Sequence, residues 1–234
     1  MSEAAGTTGL ATADAIAERW RAVQERLSAT GIDAASVTVV AVTKAFPPPL
    51  VGRALDAGLV ELGENYAQEL QAKAAWLAEG SGADAGSSGA PRWHFVGGLQ
   101  RNKVRQIAHL VDLWHSVDRP SLATEIAKRA PGARILVQVN TTGEEQKSGC
   151  DPADAPALVE GARQAGLAVE GLMTVGPTGG GDPRPSFAAL RALADRLELA
   201  TVSMGMSGDY ELAVAEGATM IRLGTTLFGP RPQR

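Results

Sequence analysis

The sequence has little cysteine, few aromatic residues and no long apolar run. Cys150 is the only cysteine among 234 residues, which excludes an intramolecular disulfide and a cysteine metal cluster. The three histidines are scattered along the chain and do not form a helical metal-binding pair. No apolar stretch approaches the roughly 18 residues that cross a bilayer. The N-terminus also lacks the basic and apolar regions of a signal peptide. We therefore expect a cytoplasmic protein with no metal site and no membrane association.

The composition is that of an ordinary globular protein. Hydrophobic residues make up 44% of the chain and charged residues 21%, so there is enough apolar material for one large core. The formal net charge is −4, which is not the electrostatic signature of a nucleic-acid-binding protein. An anionic ligand would need a local pocket, because the overall charge of the protein does not attract it.

Short β-branched segments alternate with Ala-rich amphipathic segments through most of the chain. A helix is predicted first, because Ile16, Val23 and Leu27 recur at helical spacing, with Thr12 or Asp14 as its cap and Gly31 at its end. Eight strands are then predicted, each followed by a helix except the last, which is followed by a short tail. The predicted strands are 37–42, 59–62, 93–96, 113–117, 134–139, 169–174, 201–204 and 220–223.

This alternation predicts an α/β protein, specifically a (β/α)8 TIM barrel with an extra N-terminal helix. The second choice is an open doubly wound sheet, which usually has a glycine fingerprint after its first strand. Residues 43–47 occupy that position and contain no glycine, which disfavours the open sheet. We expect residues 1–10 to be a disordered tail and residues 11–234 to form a single domain, with small-residue loops at 80–90 and 178–185.

Ligands of such barrels bind at the carboxyl ends of the strands. Lys44 follows the first predicted strand between apolar neighbours. A desolvated lysine has a lowered pKa and can form a Schiff base with an aldehyde. An exposed lysine at a strand end is the alternative. Asn65 follows the second strand, where it could contact a ligand or cap the next helix.

Two turns rich in small residues follow the seventh and eighth strands. The first contains Ser207, and the second contains Gly224 and Thr225. Such turns on these strands often hold a phosphate, although Ser207 could also be an ordinary helix cap. Arg222 lies within the apolar last strand and needs a partner, either a carboxylate such as Glu64 or a ligand.

The last strand of a closed barrel pairs with the first, so the lysine and the two turns should face each other. An aldehyde and a phosphate on one small ligand would satisfy both groups. Pyridoxal 5′-phosphate (PLP) is the cofactor with that combination, and its sites use a lysine and a partner for the pyridine nitrogen.

The same residues resemble those of the pyridoxal phosphate homeostasis protein family. The likeness runs from about residue 37 to 231, and the motifs occur in the family's order. They are VVAVTK at 39–44, GENY at 63–66, WHFVG at 93–97, LQRNK at 99–103, SMGMS at 203–207 and IRLGT at 221–225. This family resembles the barrel domain of alanine racemase.

The resemblance implies a role for each predicted site residue. It implies that Lys44 holds PLP as a Schiff base and that Asn65 lies beside the cofactor. It also implies that Arg222 faces the pyridine nitrogen, and that the phosphate is surrounded by Ser207, Gly224 and Thr225.

The resemblance further implies a PLP carrier rather than an enzyme, with no catalytic residue assigned. A racemase needs a second base, a tyrosine from a separate C-terminal domain, and we expect that domain to be absent. Tyr66 is close to the predicted site but is expected to pack at a helix start. A monomeric PLP-dependent amino-acid racemase is the alternative. A third possibility is an interaction module that delivers PLP to apo-enzymes through residues 99–103. Amino acids or apo forms of PLP enzymes are the expected partners, and a monomer is the expected state.

Three further residues are considered but are not among the six predicted site residues. His94 is predicted to be a hydrogen-bonded core residue, and Cys150 to be a free thiol in a loop. Met173 ends the sixth predicted strand, where it could either touch the cofactor or pack in the core.

Overall fold

The computed structural model describes residues 10–80 and 89–232. The tail predicted to be disordered therefore lies outside the described residues, except for Leu10. Most of the small-residue loop predicted at 80–90 lies outside them as well. Leu10 is partly buried against the core, and its carbonyl accepts a hydrogen bond from Arg53.

The described residues form a closed barrel of eight parallel strands, which confirms the predicted fold. The strands follow one another around the barrel in chain order, and the last pairs with the first over four residues. An open doubly wound sheet is therefore wrong for this chain. The strands are β1 (Thr38–Val42), β2 (Glu61–Glu64), β3 (Arg92–Phe95), β4 (Val111–Val117), β5 (Arg134–Gln138), β6 (Ala168–Met173), β7 (Thr201–Ser203) and β8 (Met220–Leu223).

The helices surround this barrel. The predicted N-terminal helix is present, with the Thr12 hydroxyl accepting a hydrogen bond from the amide of Ala15 at its start. Gly31 follows its end with a φ of 80°, a backbone conformation that favours glycine. The helices are α1 (Ala13–Ala29), α2 (Pro49–Asp56), α3 (Ala67–Ala78), α4 (Arg101–Ile107), α5 (Pro120–Arg129), α6 (Ala155–Gln164), α7 (Arg184–Arg196), α8 (Tyr210–Ala215) and α9 (Thr225–Phe228).

Two predictions of local structure were wrong. The second strand was expected at 59–62 but lies two residues later, because the amide of Leu59 bonds to Ala54 and so belongs to the turn that ends α2. The chain after β8 was expected to be a tail but forms α9. That short helix is held against α1, because the guanidinium of Arg19 donates to the carbonyl of Leu227 at 3.1 Å.

The barrel is filled by side chains, so a ligand has room only at its ends. The larger part of the core lies between the strands and the helices. A second, smaller apolar cluster belongs to the strands alone, and Met173 is one of its buried members. Its members are Val40, Val42, Leu113, Leu136, Met173 and Met220. Among the described residues, no helix combines the length and apolar character needed to cross a membrane.

Candidate functional site

A cavity of about 550 Å³ opens at the carboxyl ends of the strands. All six residues that the sequence predicted for the site line this cavity: Lys44, Asn65, Ser207, Arg222, Gly224 and Thr225. Barrel closure accounts for this, because it brings the ends of β1, β2, β7 and β8 to one mouth. Met173 does not line the cavity, so of its two predicted roles the structure shows core packing.

Lys44 lies two residues beyond the end of β1. Burial lowers the pKa of its ammonium, and the nearby cations of Arg231 and Arg222 lower it further. The next residue, Ala45, has a φ of 64°, which is uncommon outside glycine. Its amide donates to a carboxylate oxygen of Glu69 at 2.7 Å. The chain therefore turns sharply after Lys44, and α3 holds that turn in place.

A buried ion pair supports the same strand end. The ammonium of Lys73 contacts the carboxylate of Glu64, and the hydroxyl of Thr43 donates to the same oxygen at 2.6 Å. Burial raises the pKa of Glu64 in spite of these partners. The predicted alternative of an ion pair between Glu64 and Arg222 was wrong, since the carboxylate is paired with α3.

Asn65 presents an unsatisfied acceptor. Its side-chain oxygen is buried and has no hydrogen-bond partner within the described part of the chain. The alternative role as a helix cap is not seen, because Tyr66 occupies the cap position of α3. Tyr66 itself is 53% exposed, so the expectation that it packs at the helix start was wrong. Gly97 packs directly against the backbone of Asn65.

The turns after β7 and β8 meet through one hydroxyl. The side-chain oxygen of Ser207 accepts from the amides of Gly224 and Thr226, both at 3.2 Å. Ser207 was considered as a cap for α8, but Asp209 occupies that position, and the hydroxyl instead lies at the start of α9. Gly205 has a φ of 90° beside α8, where a Cβ would lie 2.5 Å from that of Ala213. Only glycine fits this turn.

Arg222 is 5% exposed, and its guanidinium is bound by the last residue of β7 and by the residue directly after β6. It donates to the hydroxyl of Ser203 and to the carbonyl of Thr174, each at 2.8 Å. Burial lowers its pKa to about 10, and Asp209 opposes that shift. The side chain therefore remains cationic at neutral pH while it lines the cavity.

Two loops are fastened together at the other side of the mouth. The carboxylate of Glu144 accepts from the amide and the hydroxyl of Thr178, and it lies 2.7 Å from the ammonium of Lys147. This contact joins the chain after β5 to the chain after β6. The sequence did not single out this side of the cavity, nor Arg231. The only sequence signal for these residues was that they follow the ends of predicted strands. The cavity-lining residues missed in this way include Gly97, Gly98, Gln146, Lys147, Ser148 and Arg231.

The remaining polar residues match their predicted roles. His94 is a buried, hydrogen-bonded strand residue, between Glu61 at 2.7 Å and His115 at 2.8 Å. Cys150 is a free thiol outside the cavity lining, and burial raises its pKa to about 11. Within residues 10–80 and 89–232, no cluster of His, Cys, Asp and Glu could hold a metal ion.

Comparison with known proteins places the chain in a family. Residues 12–232 match the model of the alanine racemase N-terminal domain. The chain is 42% identical to the pyridoxal phosphate homeostasis protein of Pseudomonas aeruginosa, over 94% of this chain and 95% of that protein. It is 34% identical to the protein of the same name from Escherichia coli, over 92% and 97% of the two chains.

Solved structures agree with the sequence relatives. PipY of Synechococcus elongatus, with PLP bound, superposes with a TM-score of 0.79 and 35% identity over 92% of this chain and 100% of that chain. A lysine decarboxylase in complex with PLP reaches a TM-score of 0.69 over 93% of this chain and 62% of that chain, at 17% identity, which shows a shared fold only. The chain belongs to the alanine racemase N-terminal domain family and, within it, to the pyridoxal phosphate homeostasis proteins.

Proposed function

We propose that this protein binds PLP in the cavity at the carboxyl ends of the strands and acts in intracellular PLP (vitamin B6) homeostasis. One observation carries the proposal. Lys44, whose pKa is lowered by burial, lines the same cavity as the turn that follows β8. Strand β8 pairs with β1, and its turn carries hydroxyl and main-chain amide groups. Relatives that share a third or more of the sequence bear the name of PLP homeostasis proteins, and PipY is known with PLP bound.

The residues present fit the functional groups of PLP. The buried side-chain oxygen of Asn65 needs a donor, which a ligand can supply. Ser207 and Thr225 offer their hydroxyls to a phosphate, and Gly224, whose amide donates to Ser207, lies in the same turn; we assign all three residues to the phosphate. Lys44 is assigned as the covalent attachment point, and Arg222 as the group that faces the pyridine nitrogen.

When bound, PLP supplies an aldehyde that a primary amine can attack and a ring that can accept electrons. The lowered pKa of Lys44 increases the neutral fraction of its amine, which is the form that attacks. Arg222 has only donors and stays cationic, so it cannot accept a proton from the ring nitrogen or share one with it. A ring nitrogen beside it stays unprotonated, which makes the ring a weaker electron acceptor. The residues thus suit retention of PLP better than turnover.

The two tyrosines of the chain support the carrier role over the racemase alternative. Tyr66 is exposed and does not line the cavity. Tyr210 is buried outside the cavity lining, near Arg26 and Glu211. Neither is therefore positioned as a second base beside Lys44. The monomeric state, the cytoplasmic location and the delivery of PLP to apo-enzymes stay predictions.

Absorption spectroscopy of the purified protein with added PLP tests the proposal. We expect a visible band that borohydride removes, with the reduced label on Lys44 in a peptide map. Lys147, which lines the same cavity, should stay unlabelled and serves as the internal control. Lys44→Ala should abolish the band. A protein that stays colourless in PLP would contradict the proposal. Multiple-turnover formation of D-alanine from L-alanine, lost in Lys44→Ala, would contradict the carrier role.

A further inference from the structure

A continuous line of hydrogen-bonded side chains crosses the interior of the barrel. Glu61 on β2 lies 2.7 Å from His94 on β3, and His94 lies 2.8 Å from His115 on β4. His115 then reaches across the barrel to Ser203 on β7 at 3.2 Å. The hydroxyl of Ser203 accepts from Arg222 on β8 at 2.8 Å. Five strands thus contribute one side chain each to a single chain of contacts.

The two ends of this chain lie at different places in the barrel. Arg222 lines the cavity at the carboxyl ends of the strands. Glu61 is the first residue of β2, at the amino end of the barrel, where its side chain is 19% exposed and also pairs with Arg92. The three side chains between them are buried. The line of contacts therefore connects the cavity with the opposite, partly solvated face.

The chemistry of the two ends favours one direction for the bonds between them. Arginine can only donate, and an ionised carboxylate can only accept. Because Ser203 accepts from Arg222, its own proton is free to go to Nδ1 of His115. The proton of His115 then lies on Nε2 and is donated to Nδ1 of His94. His94 in turn donates from Nε2 to Glu61. In this arrangement both imidazoles are neutral, and every donor has an acceptor.

Charge and burial support this arrangement. Burial, together with the cation of Arg222, holds the pKa of His115 well below its usual range, so its imidazole is neutral. Burial raises the pKa of Glu61, but its hydrogen bonds with His94 and Arg92 outweigh that effect and bring the pKa to about 2. The acceptor end is therefore ionised at neutral pH. The opposite direction would leave the buried hydroxyl proton of Ser203 without an acceptor in the line, which is costly.

We infer that Glu61, His94, His115 and Ser203 are positioning residues that fix the orientation of the Arg222 guanidinium at the cavity. The direction of the hydrogen bonds is a property of the ligand-free protein. Only the effect on the ligand rests on the proposed function, since it takes PLP as the molecule that Arg222 faces. The two parts can therefore be tested separately.

Histidine NMR of ligand-free, ¹⁵N-labelled protein tests the direction of the bonds. We expect His94 and His115 to be neutral at pH 7, with the proton on Nε2 in each ring. Ser203→Ala should shift the Nδ1 resonance of His115, because that nitrogen loses its donor. Ser116→Ala is the matched control, since Ser116 is also a buried strand serine but has no hydrogen-bond partner in the described structure. A charged ring, or a proton on Nδ1 of either histidine, would overturn the inference.

Titration with PLP tests the positioning. Ser203→Ala should raise the Kd for PLP about fivefold, the effect of one lost hydrogen bond, and should move the absorption maximum of the bound ligand. Glu61→Gln should move the absorption maximum in the same direction. Because Glu61 is partly exposed, this variant still tests the inference if Ser203→Ala does not fold. Arg92→Gln removes the other partner of Glu61 and should change neither quantity.

The outcomes separate the inference from the proposed function. If Ser203→Ala and Glu61→Gln bind PLP with the Kd and spectrum of the unaltered protein, the positioning role is wrong while the proposed function stands. If the unaltered protein does not bind PLP, the proposed function is wrong, and the histidine resonances still decide the direction of the chain.

Discussion

The ammonium of Lys73 donates a 2.7 Å hydrogen bond to the main-chain carbonyl of Thr43, the residue directly before Lys44. The same ammonium pairs with the carboxylate of Glu64, at the end of the neighbouring strand. One buried cation on α3 therefore holds the ends of β1 and β2 together beneath the cavity. The residue before Lys44 is thus bound by a second lysine that does not line the cavity.

Lys73→Met should destabilise the protein by about 3–5 kcal/mol, because it leaves the carboxylate of Glu64 buried without its cation. Urea unfolding followed by circular dichroism measures this loss. The double variant Lys73→Met/Glu64→Gln should recover part of it, since the neutral amide carries no charge to compensate. Lys128→Met, at an exposed position on α5, is the control and should cost less than about 0.5 kcal/mol. If Lys73→Met lowers the free energy of unfolding by less than about 1 kcal/mol, the ion pair between Lys73 and Glu64 does not stabilise the fold as expected.

Gly97 and Gly98 are adjacent glycines, and replacement by alanine should be costly at Gly97 and tolerated at Gly98. A Cβ on Gly97 would lie 2.3 Å from the carbonyl oxygen of Asn65 and 2.6 Å from its Cα, so the backbone of Asn65 must move. A Cβ on Gly98 would meet only the Ser148 hydroxyl, at 4.0 Å. We expect Gly97→Ala to lower stability by about 1–3 kcal/mol and to weaken PLP binding.

Gly98→Ala provides the matched control for that substitution, because both residues line the cavity and only one has room for a methyl group. Thermal unfolding and a PLP titration of the two variants give the comparison. Equal effects of the two substitutions would show that the close packing between Gly97 and Asn65 does not hold the site.

The sequence predicted the six site residues because their positions are local. Lys44 and Asn65 each follow a predicted strand, and the alternation of strands and helices was sufficient to predict closure, which brings strand ends together. Ser207 and Gly224 were recognisable as small-residue turns on adjacent strands. The prediction needed no distances, only the order of the strands around the barrel.

The contacts behind these residues could not be predicted in the same way. Lys73 sits in an ordinary amphipathic helix, and nothing in its spacing indicates a buried charge. Glu64 was placed outside β2 because the strand was predicted to end at residue 62, and its ion pair with Lys73 could not be read from the sequence. The line from His115 to Ser203 depends on which side chains point into the barrel at the same level. That level is set by strand register, and parallel strands buried on both faces lack the alternating pattern that would show which side chains point into the barrel.

Glu61 should make the stability of the protein sensitive to acid. Its pKa falls from an ordinary 4.5 to about 2 in the fold, so the unfolded chain takes up a proton at a higher pH than the folded chain does. The stability that this carboxylate contributes is therefore present above pH 4.5 and lost as the pH falls toward 2. Glu61→Gln lacks this contribution, so its disadvantage relative to the unaltered protein should shrink as the pH falls.

Urea midpoints of the two proteins between neutral and acidic pH measure that difference. Glu145→Gln, which removes one negative charge at an exposed position, serves as the control for net charge. If the unaltered protein and Glu61→Gln lose stability in parallel down to about pH 3, the carboxylate is not held by His94 and Arg92 as the geometry indicates.

Arg231 should tune the reactivity of Lys44. It lines the cavity two residues after Gly229, and after burial its charge is the largest influence lowering the pKa of Lys44. Arg231→Gln removes that cation, so the pKa of Lys44 should rise and a smaller fraction of its amine should be neutral at pH 7. The rate of PLP attachment, followed by stopped-flow absorbance, should fall about two- to fivefold, with its pH profile moved to higher pH.

Arg105→Gln, at an exposed position on α4, is the matched control and should leave both the rate and the profile unchanged. The shift of the profile distinguishes tuning of Lys44 from a simple loss of affinity for the phosphate. A variant that attaches PLP more slowly at every pH by the same factor would mean that Arg231 attracts the anionic ligand without acting on the amine. The rate at high pH decides the matter, because there the amine is neutral in both proteins and only an effect on the ligand can persist.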